Sequence, residues 1–201
     1  MTVSARKHEA IAQAALTLFE SDGYERTSVD AIAAEAGVSK RTIYSHYGDK
    51  ENLFLSVVRD TYEAMLTRIA EIVDRTAWDS DLLAALTSCV TEVTRSMVRA
   101  PERSTLVRLL ITEAPHFPAL IDLLHTREIT PLLAAPLAKL AATGRLAIAD
   151  PGQAAEHLAA LTFRQVSNRS LLGTVSLTEN ETARLLTGGT QAFLRAYRAA
   201  D

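Results

Sequence analysis

The stretch Ser28-Val-Asp-Ala-Ile-Ala-Ala-Glu-Ala-Gly-Val-Ser-Lys-Arg-Thr-Ile-Tyr-Ser-His-Tyr-Gly-Asp-Lys-Glu-Asn-Leu-Phe54 carries two short helical patterns joined by a glycine turn. Val29, Ile32, Ala33 and Ala36 recur at i, i+3, i+4 and i+7, the spacing of one buried helix face, with Thr27 and Ser28 as cap candidates. Gly37 stops this helix. Ser39 then caps a second short helix over residues 40–47, and Asp49 caps another that opens at Lys50-Glu51. A short helix, a tight turn containing glycine and a second short helix make the helix-turn-helix arrangement. Gly37 permits the left-handed backbone that the turn needs, Val38 fills the angle between the helices, and Ile43 anchors the second helix on Ile32 and Ala33. Lys40, Arg41, Thr42, Tyr44, Ser45 and His46 are left facing outward.

Helical spacing extends on both sides. Ile11, Ala15, Leu18 and Phe19 predict a preceding helix that ends at Gly23, and Phe54, Val58, Tyr62, Met65, Ile69 and Ile72 predict a long one ending near Arg75. Leu82, Leu86, Val90, Val93 and Met97 mark the next. Another starts with Pro101 at its first position and runs through Leu106, Leu110 and Ile111, before Pro115 and Pro118 bracket a break. A kinked helical region follows from Phe117 to Thr143, interrupted by Pro131 and Pro136 and closed by Gly144. Asp150-Pro151 opens one helix to about Leu172 that is apolar on most sides, and the capping box at Thr178 and Glu181 opens the last helix, through Tyr197. No window alternates apolar and polar residues as a strand would. The expected fold is all-α: a three-helix domain with the helix-turn-helix at residues 1–50 and a helical bundle at 51–201, with about nine helices in total.

Composition narrows the function classes. With 201 residues and 48% hydrophobic content the chain can bury a core without staples, and its one cysteine, Cys89, excludes an intramolecular disulfide. The polar start and the absence of a long apolar run make the cytoplasm the expected compartment and the membrane an unexpected partner. A formal charge of −3 argues against a basic coat for indiscriminate nucleic-acid binding. The distribution says more: residues 1–54 carry −2, yet residues 37–50, with Lys40, Arg41 and Lys50 against Asp49, carry +2. Catalysis finds little support. His8, His46, His116, His125 and His157 lack metal-ligand spacing, no glycine-rich phosphate loop occurs, and Cys89 has no histidine near it in sequence. Neither an enzyme activity nor a cofactor or metal is expected.

The stretch Ser28 to Phe54, with the preceding helix and Gly23-Tyr24, closely resembles the DNA-binding signature of TetR-family transcriptional regulators. Glu113-Ala-Pro-His-Phe-Pro118, with Gly144-Arg-Leu and Asp150-Pro, resembles the ligand-binding half of the AefR-like branch. The resemblance implies base contacts from Lys40, Arg41, Thr42 and Tyr44, chemically suited to guanine O6 and N7 or a thymine methyl. It implies phosphate contacts from Thr27, Tyr44, His46, Tyr47 and Lys50. Tyr47 suits packing against the following helix equally well, and His46 also reads as a plain exposed histidine. The implied activity is that of a sequence-specific regulator, a repressor released from a pseudo-palindromic operator by a small, largely apolar effector. A helical architectural protein binding DNA without sequence preference is the alternative.

One such unit offers little surface for tight specific binding, so a homodimer reading half-sites about 34 Å apart is expected. Gly188 and Gly189, with Ala192 and Ala196, put small residues on the last helix, where close approach of another helix would offset the low helix propensity of glycine. Leu158, Leu161 and Val166, on the helix that is apolar nearly all round, complete the candidate interface. Candidate effector-pocket residues are Tyr62, Met65, Leu66, Val93, Met97, Leu110, Phe117 and Phe163, although each such residue taken alone is more often plain core, with Glu113 and Asn168 among the polar groups that would orient a ligand or satisfy one another.

Overall fold

A computed structural model of the chain describes residues 3–98, 109–120 and 129–199, and its named elements are all helices. They are α1 (Val3–Arg26), α2 (Val29–Glu35), α3 (Lys40–Tyr47), α4 (Lys50–Asp74), α5 (Leu82–Val98), α6 (Thr130–Ala142), α7 (Pro151–Leu161), α8 (Phe163–Arg169) and α9 (Glu179–Ala196). Residues 109–113 are also helical. The expected start at Pro101, with Leu106, lies outside the described residues, as do residues 121–128 of the expected kinked helix. Pro131 falls in the first turn of α6, where a missing N–H costs nothing, and Pro136 is accommodated inside the same helix.

The described residues sort into two compact units: 3–64 with 109–120, and 65–98 with 129–199. Neither unit begins at residue 51. Asp49 caps α4 by accepting the Asn52 N–H at 2.7 Å, but the helix then runs unbroken through Asp74, and Leu53, Phe54, Val57 and Val58 are buried. The cap at residue 49 is therefore a helix start inside the first unit rather than a boundary between units.

In the first unit, Ser28 accepts the Ala31 N–H at 3.1 Å and Ser39 the Thr42 N–H at 3.2 Å, so α2 and α3 each begin on a side-chain cap worth about 1 kcal/mol. Between them the Val38 N–H returns to the Ala33 carbonyl at 3.0 Å, which fixes the tight turn. Ile32, Ala33 and Ile43 are buried, and full burial of a side chain such as Ile43 contributes about 1.5–3 kcal/mol.

The second unit packs α6 and α9 against α7, and α9 against α5. Leu86, Val90 and Val93 of α5, Leu133 and Leu137 of α6, Ala155 and Leu158 of α7, and Leu186 and Phe193 of α9 are fully buried. The single helix expected from Pro151 to about Leu172 is broken at Thr162, whose φ of −120° and ψ of −103° are not helical. The break lies against α9. A Cβ on Gly189 would overlap the Leu161 carbonyl oxygen and stand 2.7 Å from its carbon, so the two backbones meet where no side chain fits. The close approach expected of this glycine is thus made within the chain. Leu158, Val166 and Gly189 are buried in the chain's own core, whereas Leu161, Gly188 and Ala196 are exposed and Ala192 is half-buried.

Gly189→Ala is expected to lose about 1–3 kcal/mol of unfolding free energy, because the new methyl meets backbone that has to move. Gly188→Ala has nothing within 4 Å of its Cβ and should be neutral or gain up to about 1 kcal/mol. Urea unfolding followed by far-ultraviolet circular dichroism separates the two; equal effects would contradict the assignment.

Candidate nucleic-acid interface

The outward face of α3 is built by what holds its inward face. With Ile43 buried, the helix exposes Lys40, Arg41, Tyr44 (43% exposed), Ser45 and His46, while Thr42 is half-buried at the first turn. Thr42 Oγ1 lies 2.8 Å from Ser39 Oγ, and the Ser45 hydroxyl donates to the Thr42 carbonyl at 2.8 Å. The cations differ sharply in freedom. Lys40 Nζ is 2.8 Å from the Asp30 carboxylate on α2, and that hydrogen bond, above all, raises its pKa. Arg41 has no hydrogen-bond or ion-pair partner among the described residues. The Asp30 pair is solvent-exposed and of a kind worth only about 0–1 kcal/mol, so an incoming phosphate or guanine can displace it.

Three of the phosphate candidates are engaged by the protein itself. Thr27 is buried, and its hydroxyl lies 2.8 Å from the Gly23 carbonyl and 3.1 Å from that of Leu18, so this side chain closes the end of α1. Tyr47 is half-buried with its ring 5.3 Å from that of His8, and its hydroxyl is enclosed without a hydrogen-bond partner. Desolvation, reinforced by Asp60, pushes that phenol up to about 12. This is the placement of a packing residue. Lys50 Nζ stands 4.2 Å from the centroid of the Tyr24 ring and donates to the Glu25 carbonyl at 3.3 Å, which fixes an ammonium beside the start of α4.

Tyr24 is positioned from the other side. Gly23, at φ 79° and ψ 170°, breaks α1, leaving the Tyr24 N–H to donate to Glu113 Oε1 at 3.2 Å. The Tyr24 ring then packs on Phe54 and Phe117, with centroids 5.0 and 4.7 Å away, and Phe19 completes the cluster 5.0 Å from Phe54. Desolvation first, then Glu51, Glu25, Asp49 and Glu113, raises the Tyr24 pKa. Glu113 and Phe117, candidates for an effector pocket, are thereby committed to the core of the first unit. Sequence reading missed Asp30 and Glu113 as organisers of this face, because their partners stand 10 and 89 residues away along the chain.

The other pocket candidates divide between the units. Tyr62 and Leu110 are buried in the first, and Met65, Val93 and Phe163 in the second; Leu66 and Met97 are half-buried. Asn168 is exposed on α8, where it lines an open depression with Leu161 and Gln165, so it is not enclosed as expected. Cys89 is buried on α5, and burial pushes its thiol up to about 11, the reverse of what a reactive thiolate needs.

Residues 11–57 match the family of bacterial regulatory proteins, tetR family, and residues 84–199 match the C-terminal domain of AefR-like transcriptional repressors. The chain belongs to the TetR family. It is a helix-turn-helix transcriptional regulator that binds DNA, and its relatives are regulators rather than enzymes. A TetR-family transcriptional regulator from Mesorhizobium loti matches with a TM-score of 0.90 at 29% identity, covering 98% of this chain and 100% of the other. The flavonoid-responsive regulator FrrA matches with a TM-score of 0.75 at 27% identity, over 98% of this chain and 100% of its own. The transcriptional repressor AcnR of Corynebacterium glutamicum is 33% identical over 95 residues, which is 47% of this chain and 42% of AcnR; the chain thus spans less than half of that relative's length.

Glu113→Ala should cost about 1–3 kcal/mol by leaving the Tyr24 amide without its acceptor, whereas Glu113→Gln keeps an acceptor oxygen and should cost less than half as much. Thermal unfolding checks this; equal losses would deny the hydrogen bond its role. Cys89 should resist a thiol reagent at neutral pH until the chain unfolds, and labelling of the native protein within minutes would contradict its burial.

Proposed function

We propose that this regulator is a repressor that binds a pseudo-palindromic operator as a homodimer and is released by a small, largely apolar effector. The observation that carries the reading is α3 itself. It is capped, anchored by Ile43, and presents an unpaired Arg41 beside exposed Tyr44 and His46 in a chain that is acidic elsewhere. Arg41 is bidentate chemistry for guanine O6 and N7, Tyr44 suits a thymine methyl or a phosphate, and Lys40 joins them by leaving Asp30. Thr42 supplies a hydroxyl at the same edge, while His46 and Lys50 set the register on phosphates. Net negative charge around this face suppresses adhesion to arbitrary DNA and leaves affinity dependent on fit.

The repressor sign is supported by the AefR-like repressor match over residues 84–199 and by the repressor named among the relatives. An apolar effector is supported by FrrA, a full-length structural relative that is named as flavonoid-responsive. The second copy is proposed to meet the surface carrying Leu161, Gly188, Ala192 and Ala196. An effector works by binding one conformation more tightly than the other, so release requires a difference in affinity and not contact alone. No described helix is long and apolar enough to cross a membrane, in keeping with action in the cytoplasm.

Footprinting on the DNA upstream of its own gene should reveal a protected palindrome with half-sites about one helical turn apart. Uniform weak protection lost steeply with salt would instead support the architectural reading. Arg41→Ala should cost about 1–3 kcal/mol at the operator and relax base preference at one position of each half-site, while Lys50→Ala should weaken all sequences alike and reduce the salt slope by about 1. Equal, sequence-independent losses from both would refute the role assignment.

A further inference from the structure

Lys50 is a cation held by neutral groups in acidic surroundings. Its ammonium rests 4.2 Å from the centroid of the Tyr24 ring and donates to the Glu25 backbone carbonyl at 3.3 Å. Besides desolvation, its largest cause, the raised pKa of Tyr24 reflects the carboxylates of Glu51, Glu25 and Asp49, so three acidic groups stand around this seat. None of them pairs with Lys50, which has no ion-pair partner among the described residues. Asp49 spends both carboxylate oxygens on Asn52, at 2.7 Å from its backbone N–H nitrogen and 3.0 Å from its side-chain amide, while Glu25 and Glu51 are exposed.

Lys40 gives the contrast. It lies 2.8 Å from the Asp30 carboxylate, so its charge is compensated before any DNA arrives. An aromatic ring attracts an ammonium through its quadrupole and carries no charge to cancel it, so the charge of Lys50 stays whole. The seat is also rigid. Glu113 holds the Tyr24 amide at 3.2 Å, and the ring packs among Phe19, Phe54 and Phe117, with centroids 6.0, 5.0 and 4.7 Å away. A lysine side chain loses much rotamer freedom when it is ordered, and an ammonium already seated loses less of it on meeting a phosphate.

We propose that Tyr24 is a positioning residue for DNA binding: its ring seats the Lys50 ammonium away from the neighbouring carboxylates and delivers it, uncompensated, to a backbone phosphate. This rests on the reading of Lys50 as a phosphate contact. Tyr24 touches no DNA in this role and acts through Lys50 alone. Without the ring the ammonium falls to Glu25 or Glu51, and it has to leave a carboxylate before it reaches a phosphate.

The full chain is titrated onto a random-sequence DNA duplex by fluorescence anisotropy at several salt concentrations, so that no operator is needed. Lys50→Ala should weaken binding and reduce the salt slope by about 1. Tyr24→Phe, which keeps the ring, should bind within about twofold of the native chain, while Tyr24→Leu should bind about threefold more weakly or worse. Added to Lys50→Ala, Tyr24→Leu should cost nothing further, because the residue it serves is gone. A merely structural tyrosine would give additive losses. In the NMR spectrum of the free native chain, the ring current should carry the Lys50 ε-methylene protons upfield of those of the other lysines, a readout that does not depend on how well a variant folds. Additive losses in the double variant, equal binding by Tyr24→Leu and Tyr24→Phe, or unshifted Lys50 protons overturn the proposal and leave the phosphate contact standing. A Lys50→Ala chain that binds like the native one overturns the phosphate contact and the proposal together, so the two failures are told apart.

Discussion

The amide of Tyr24 is the point on which the DNA-facing unit turns. Gly23 takes the backbone out of the α-helix by one residue, and the freed N–H finds the buried carboxylate of Glu113. A partly buried amide left without its acceptor would cost about 1 kcal/mol or more, and Glu113 supplies that acceptor where the helix breaks. The same break swings the Tyr24 ring into the cluster of Phe19, Phe54 and Phe117, and onto that ring Lys50 lays its ammonium. One backbone irregularity thus joins α1, the start of α4 and residues 113–117, and leaves a cation where α4 begins.

On that support α3 is a small helix with a division of labour set by freedom rather than charge. Lys40 and Arg41 are adjacent cations, yet only Lys40 is paired, with Asp30. Exposed pairs of this kind contribute little to stability, so this one holds Lys40 only loosely. Tyr47, at the end of α3, packs on His8, and Thr27 closes the end of α1, so both polar side chains are engaged within the unit. A face of about five exposed side chains remains. That is small for tight recognition and places weight on a second copy of the chain.

The second unit is organised by a contact with no side chain in it. Gly189 lets α9 come close to the carbonyl of Leu161, next to the residue, Thr162, at which the facing helix breaks. The helix propensity lost at a glycine, about 1 kcal/mol, is offset by the packing that close approach allows. The small residues of the last helix therefore serve two purposes: Gly189 belongs to the chain's own core, while Gly188 and Ala196 remain at the surface.

Much was legible along the chain, because caps and stripes are local. The starts at Ser28, Ser39, Asp150 and Thr178 follow from hydrogen bonds that span three residues, and the buried faces of α2, α3, α4 and α5 follow from helical period. The long turn-rich signature around Gly37 was sufficient for the family, since each of its positions answers to a near neighbour. What only the tertiary structure decided is every partnership made across the chain: Glu113 with the Tyr24 amide, Phe117 with Phe54, Asp30 with Lys40, and Gly189 with Leu161. Those pairings depend on where helices cross, and a crossing leaves no period in either strip of sequence. The sequence by itself determined helices, turns and the identity of the exposed cations; tertiary packing determined which cation is unpaired, which tyrosine of α3 is packed against a neighbour and where an apparently continuous helix gives way.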